Sequence, residues 1–418
     1  MSTARKTWTK QRRLKWAVSI VSTAFSCTFP CSVAFALPSL PPLPLSTPLN
    51  PLGAAGAINF ALQNSPAPPA GFIALSSLPV ATLTGGLDQL AGGVGADLGT
   101  IADQANAPLL NTLMQRLGSG GGVVALPEAP GGSSTFPPTV TPWASALGGH
   151  SNISGDAVSR AEHVSTGVAG FAAGLETRIG DEAILGASAA VAHESTRAGT
   201  GGVSKSNDVT LALYGRQGLF GQGYAAGAIA YGWHDTTTSR TLTVSGTDIL
   251  EGKFTGHDLS GRIEAGWRFA MPDRAVLAPF LAFGGDTYST PNYGETAVAG
   301  APTFALTYDS NTITNQHIEA GLHLARTFNL ASDSVSFGLD AAWAHQMSGS
   351  PVIDVAFAEL SGSNFQVRGL APAKDSALVG AGVQLQGGGG FSYGVRGDGQ
   401  FGKGLSALSG TLSLVYDF

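Results

Sequence analysis

The stretch "FTGHDLSGRIEAGWRFA", residues 254–270, constrains the fold of this chain more than any other. Taken alternately, Leu259, Gly261, Ile263, Ala265, Trp267 and Phe269 fall on one face. Asp258, Ser260, Arg262, Glu264, Gly266 and Arg268 fall on the other. A period of two belongs to a β-strand, whose successive side chains point to opposite faces. In a soluble sandwich the charged face meets water. In a membrane barrel it meets a polar interior, and Arg262, Glu264 and Arg268 are then lumen-facing, because lipid excludes charge. This strand taken alone admits both.

The number of such strands weighs against the sandwich. Alternating segments recur from Trp143 onward between turn-like breaks, at 141–149, 167–178, 183–194, 207–217, 222–234, 254–270, 275–288, 315–328, 334–346, 376–387, 390–401 and 407–418. Twelve is an even number, which lets first and last strands close antiparallel. A shorter stretch, "FQVRG" at 365–369, is expected as loop or strand extension. The gaps 288–314 and 347–364 are expected as extracellular loops, and "GGGG" at 387–390 as a tight turn. Trp143, Tyr214, Trp233, Trp267, Phe269, Tyr288, Trp343, Tyr416 and Phe418 lie near expected strand ends, where interfacial aromatic girdles form. Charged residues make up only 12%, and past residue 36 there is no uncharged apolar run long enough for a membrane helix. A net charge of −6 offers no nucleic-acid footprint. The fold class expected is an all-β transmembrane barrel of about twelve antiparallel strands over residues 139–418.

The chain opens on a different pattern. Arg5, Lys6, Lys10, Arg12, Arg13 and Lys15 precede an apolar stretch ending at Ala36. Ala34 and Ala36 fit the small-x-small rule for cleavage, so residues 1–36 are expected to be a signal peptide for the general secretory translocon. Cys27 and Cys31 both lie within it, leaving the later chain without a thiol for disulfide, metal or catalysis. Residues 37–76 are Pro-rich and expected to be extended. In 77–122, Leu83, Leu87, Leu90, Val94, Leu98 and Ile101 recur at helical spacing, and the pattern resumes at Leu109, Leu113 and Leu117. One or two amphipathic helices broken near Pro108 are expected, with a place inside or above a barrel pore. Residues 123–138 are expected to be a linker. Charged residues are so sparse between 37 and 140 that the segment must lean on other structure.

Catalytic chemistry finds no support. Residues 37–138 contain no His, so no Ser–His–Asp set can be built there. "GGDTYS" at 284–289 has Thr where an esterase block needs Ser. His193, His257, His317, His323 and His345 are spread over strands and suit lumen or interface positions better than a metal. No catalytic, cofactor or metal residue is expected.

The ordered set "HDLSGRIEAGWRF" (257–269), "VLAPFLAF" (276–283), "GLDAAWAHQ" (338–346), "FQVRGLAPAKDSALVGAGVQLQ" (365–386) and the terminal "LSLVYDF" resembles the C-terminal translocator domain of autotransporters, the type V secretion proteins. The resemblance covers residues 139–418. It implies a monomeric twelve-stranded barrel in the outer-membrane lipid of a Gram-negative bacterium, with a helix in its pore and a passenger carried to the cell surface. It also implies that Leu412, Leu414, Tyr416 and Phe418, on one face of the last strand, are read by the barrel-assembly machinery. The passenger here is short and lacks β-helix repeats. The expected function is an outer-membrane translocator that displays or secretes a short non-enzymatic N-terminal passenger. The alternatives are a porin-like or structural barrel with an N-terminal plug or tether, or a small surface adhesin.

Overall fold

The structure, a computed structural model, describes residues 37–118, 140–180, 183–199, 201–330, 333–387 and 389–417. The expected signal peptide with Ala34 and Ala36, residues 119–122 of the helical segment, the 123–138 linker and Phe418 lie outside the described residues.

Alternation of small, polar and apolar side chains produces long strands, and their ladders run around a closed ring. The strands are β1 (Val140–Ile153), β2 (Val164–Ile179), β3 (Ala183–Ala198), β4 (Gly202–Gly218), β5 (Gly223–Leu242), β6 (Asp248–Trp267), β7 (Phe269–Met271), β8 (Ala275–Thr290), β9 (Tyr293–Ala299), β10 (Leu306–Tyr308), β11 (Asn311–Leu330), β12 (Asp333–Gln346), β13 (Val352–Phe357), β14 (Phe365–Arg368), β15 (Asp375–Gln386), β16 (Phe391–Gly402) and β17 (Leu405–Tyr416). The wall follows the order β1–β2–β3–β4–β5–β6–β8–β11–β12–β15–β16–β17, every neighbour antiparallel. The last strand pairs back onto the first, from Trp143 opposite Val415 to Ile153 opposite Leu405. The twelve expected strands are the twelve of this closed barrel. Closure matters physically because it leaves no unpaired edge in the wall.

One end of the barrel has short turns, around Gly180, residues 219–222, Pro272–Arg274, and Gly389 and Gly390. The other end carries the long connections. Residues 365–368 are not part of the barrel wall. As β14 they pair with β13, which pairs with β10, which pairs with β9, so the two expected loops are folded into a small sheet of their own. That sheet hangs from β6 through its ladder with β9.

The expectation of an extended chain over 37–76 is corrected: α1 (Leu49–Asn64) and α2 (Ala70–Leu75) fall within it, followed by α3 (Val80–Leu90) and α4 (Gly93–Arg116). The prolines are positioned where helices tolerate them. Pro48, Pro69 and Pro79 immediately precede α1, α2 and α3, and Pro51 lies in the first turn of α1. There a missing N–H costs nothing, since first-turn amides have no intrahelical partner. The Ala-rich interior of α1 then favours helix. The expected break near Pro108 is also corrected, because α4 runs through it. The break falls instead at Gly92, whose φ of 72° lies in the left-handed region that glycine adopts without strain. The helix accommodates Pro108 against a glycine of the wall: a Cβ at Gly149 would lie 3.3 Å from the proline ring.

Candidate functional site

The barrel interior is set by the phase of each strand. In β4, Val209, Leu211 and Leu213 are exposed, while Asp208, Thr210, Ala212 and Tyr214 are buried. In β6, Leu259, Ile263 and Trp267 are exposed, whereas Asp258, Ser260 and Glu264 are 1–3% exposed. The outer surface is thus apolar around a belt and the interior is polar. The outward positions Asp235, Thr237, Glu251 and Lys253 turn polar above that belt, so β5 and β6, 20 residues each, continue well past it. A membrane strand needs roughly 9–11 residues.

The interior is occupied by α4. This helix touches β1 to β6, β8, β11 and β17, elements on opposite sides of the ring, which only a helix inside the barrel can do. Its 24 residues span about 36 Å at 1.5 Å each, enough to traverse the wall. Small residues let it approach closely: a Cβ at Gly95 would lie 2.5 Å from the Tyr308 ring, and one at Gly99 would lie 2.6 Å from Ile313. Polar bonds fix its depth. Near its start, Asp97 accepts the Leu370 N–H at 2.7 Å, and Asn315 donates to the Gly99 carbonyl at 3.2 Å. Midway, Asn106 donates to Asp258 at 3.0 Å. At its end, Arg116 makes a two-pronged contact with Glu176, at 2.9 and 2.8 Å, and lies 4.6 Å over the Trp143 ring. The carbonyl of Leu117 accepts from Arg216 at 2.7 Å, which satisfies one of the orphan carbonyls of a helix terminus. The helix therefore enters at the long-loop end and finishes at the short-turn end, where β1 begins.

Of the charges singled out in β6, Arg262 bonds Glu319 at 3.0 and 2.8 Å and Glu264 at 2.9 Å. Glu264 also accepts from Tyr224 at 2.7 Å. Arg268 lies just past the end of β6, with its guanidinium 4.7 Å over the Tyr224 ring. The network extends through His323, 3.1 Å from Glu264 and 2.5 Å from Asp340, to Arg396 and Asp398 on the opposite wall. His317 joins it through Glu319 at 3.1 Å. Two features escaped the sequence. His234 is buried between Asp208 (2.8 Å) and Asp258 (2.6 Å) on neighbouring strands. Its only signal was an inward phase in β5. Arg240 and Glu295 form a buried pair at 2.7 Å beyond the expected strand ends. No local pattern marked them.

The aromatic girdle is in part different from the expectation. Tyr231 and Trp233 (4.8 Å apart), Trp267, Phe269 and Trp343 are exposed on the outside. Trp143, Tyr214 and Tyr288 point inward and are buried, with Trp143 donating to the Tyr214 hydroxyl at 2.6 Å. Proximity to a strand end does not set a face; the alternation phase does. In β17, Leu412 and Leu414 are exposed outward, and Tyr416 packs 4.6 Å from the Phe391 ring. Among the described residues no helix is long and apolar enough to cross a membrane, and no group of three or more His, Cys, Asp or Glu side chains could hold a metal ion.

A family model for the autotransporter beta-domain matches residues 142–398. Among solved structures, the chain is similar to the translocator domain of autotransporter NalP from Neisseria meningitidis, with 16% identity, 78% of this chain and 100% of that chain covered, and a TM-score of 0.60. It is also similar to the beta domain of the Bordetella autotransporter BrkA, with 18% identity, 67% and 100% covered, and a TM-score of 0.48. A sequence search among curated proteins finds no match. With the matched region spanning more than half of its length, the chain belongs to the autotransporter β-domain family, and its barrel is an outer-membrane translocator barrel.

Proposed function

We propose that this protein carries its own N-terminal segment through the barrel and presents it, as a short non-enzymatic passenger, on the cell surface. One observation carries the reading: α4 lies in the lumen, with the preceding chain at the long-loop end and its own end beside the start of β1 at the short-turn end. Outer-membrane barrels keep short turns on the periplasmic side and long loops outside. A chain threaded in this sense has its N-terminal segment outside. The passenger from 37 to 92 has no His and no Cys and a single charged side chain, Asp88, which supports a role without catalysis. The general secretory translocon and the barrel-assembly machinery are the partners such a route requires.

The experiment is an epitope inserted between Pro66 and Ala67, two exposed residues joining α1 to α2. Antibody is expected to stain intact cells. Staining that needs permeabilised cells would overturn the proposed orientation.

A further inference from the structure

A displayed passenger needs only a tether, yet residues 38–92 are fastened to the barrel at every level. Their core is shared with its loops. The ring of Phe72 in α2 sits edge-on to Phe304 and Phe357, with centroids 4.9 and 5.1 Å apart and planes crossing at 77° and 74°. Ile58, Leu83 and Leu87 have no exposed surface in the same cluster. Burial on this scale removes apolar surface that the segment alone, with so few charges, could not keep in solution.

The polar bonds are shared as well. The first amides of α1, which no helix can satisfy internally, donate to the Val158 and Ser159 carbonyls of the β1–β2 connection at 3.0 and 3.1 Å. Asn50 acts as a surrogate strand on the free edge of β14, donating to the Arg368 carbonyl and accepting its N–H, both at 2.8 Å. Asp88 pairs with Arg160 at 3.1 Å. Beside it, at the same carboxyl end of α3, the guanidinium of Arg240, 4% exposed, donates to the Gln89 carbonyl at 2.8 Å and the Phe304 carbonyl at 2.6 Å while paired to Glu295. One buried cation thus joins the barrel wall, the small sheet and the carboxyl end of α3, where positive charge is favoured.

Beneath lies something to close. Beside α4 lies a cavity of about 180 Å³ with a mixed lining, in which Arg262, His317, Glu319 and Arg396 stand among apolar side chains such as Leu110 and Phe280. A second of about 130 Å³ toward the short-turn end shares Gln115 and Arg396 with it. Toward the mouth, Ile101 of α4 meets Ile153, Leu370 and Leu405 in an apolar cluster. Leu370 is held there through Asp97 and Thr100, and it follows β14, the strand that Asn50 clamps.

We propose that residues 38–92 are a latched lid, retained by the barrel that carried them, which shuts the mouth over the cavities beside α4. The outward orientation proposed above is needed only to say which side the lid faces. Contact between lid and barrel is tested separately. The chain past residue 36 has no cysteine, so engineered pairs report cleanly. A Cβ at Gly71 would lie 3.7 Å from that of Thr303, and one at Gly86 would lie 3.2 Å from that of Val244. The first is a disulfide separation and the second is within a small shift of one. Full-length Gly71→Cys/Thr303→Cys and Gly86→Cys/Val244→Cys proteins are expected to cross-link in intact cells under mild oxidation, seen as a reductant-sensitive mobility change. Two pairs guard against one failing to assemble. Assembled barrels with neither pair cross-linked would overturn retention. In planar bilayers with potassium chloride, Arg240→Met is expected to conduct several-fold more than the unaltered protein. Oxidised Gly71→Cys/Thr303→Cys in the Arg240→Met background should return conductance to the original level. Equal conductance in all three would overturn sealing. A tag stained only after permeabilisation, together with efficient cross-linking, would overturn the orientation and support the lid.

Discussion

Arg262 and Ile263 are neighbours in β6 and live in opposite media. Arg262 joins Glu264 and Glu319 in the interior, while Ile263, 63% exposed, stands in the middle of the apolar belt. Ile263→Lys places a charge near mid-membrane and is expected to cost about 2–4 kcal/mol, read as a lowered urea midpoint for barrels in lipid vesicles. Arg262→Met acts by another route, taking from two buried carboxylates the guanidinium they share and leaving them only their histidine neighbours, at a cost of up to about 3–5 kcal/mol by analogy with broken buried pairs. Restoring neutrality with Glu264→Gln and Glu319→Gln in that background should recover part of the loss, which equal midpoints for the single and triple variants would contradict. At this scale the sequence is informative wherever phase is unbroken: the contrasting faces of β6 are legible from residues 254–270 alone. It is silent on partners. Nothing near His234 announces Asp208 and Asp258, because strand pairing brings them together across 26 and 24 positions.

At the level of elements, α4 shows how packing overrides local preference. Gly93, Gly95 and Gly99 weaken a helix in isolation, and Pro108 removes one of its bonds. Inside the barrel, small size at Gly95 and Gly99 allows contact with Tyr308 and Ile313, so the residues that weaken the isolated helix seat it here. Gly99→Leu would drive a side chain into Ile313, a stiff β-branched neighbour on β11. We expect α4 to sit displaced, with increased protease cleavage of the helix in assembled barrels; unchanged resistance would argue against this close fit. The last strand makes a separate prediction. Phe418→Ser should lower the yield of outer-membrane barrel if the face of Leu412, Leu414, Tyr416 and Phe418 is read during assembly, whereas a normal yield would exclude that role.

For the whole molecule, the barrel and the covered mouth have different sources of stability. The wall rests on a continuous ladder through twelve strands. The mouth rests on one apolar cluster that draws on α1, α2, α3, the upper part of β5 and β6, and the small sheet. Deleting residues 38–92 is therefore expected to leave heat-modifiable barrel mobility intact. The same deletion should expose 291–310 and 347–370 to protease, since their apolar faces lose the helices that cover them. Loss of heat-modifiable mobility would show that wall and cover are a single cooperative unit.

The sequence by itself determined the barrel. Strand number, inward and outward faces and closure all follow from a two-residue period, which is local and repeated, and an even count permits antiparallel closure. It also placed helical character near residues 80–118, again through a local period. The fold of the Pro-rich segment was not legible: its prolines break a helix anywhere but at the start, and whether a proline starts a helix depends on what the following turns bury. Only the tertiary structure decided that α1 to α3 share a core with loops more than 200 positions away, that Arg240 completes the end of α3, and that Gly92 rather than Pro108 marks the bend. These are contacts between segments with no common period, and chain folding alone brings them together.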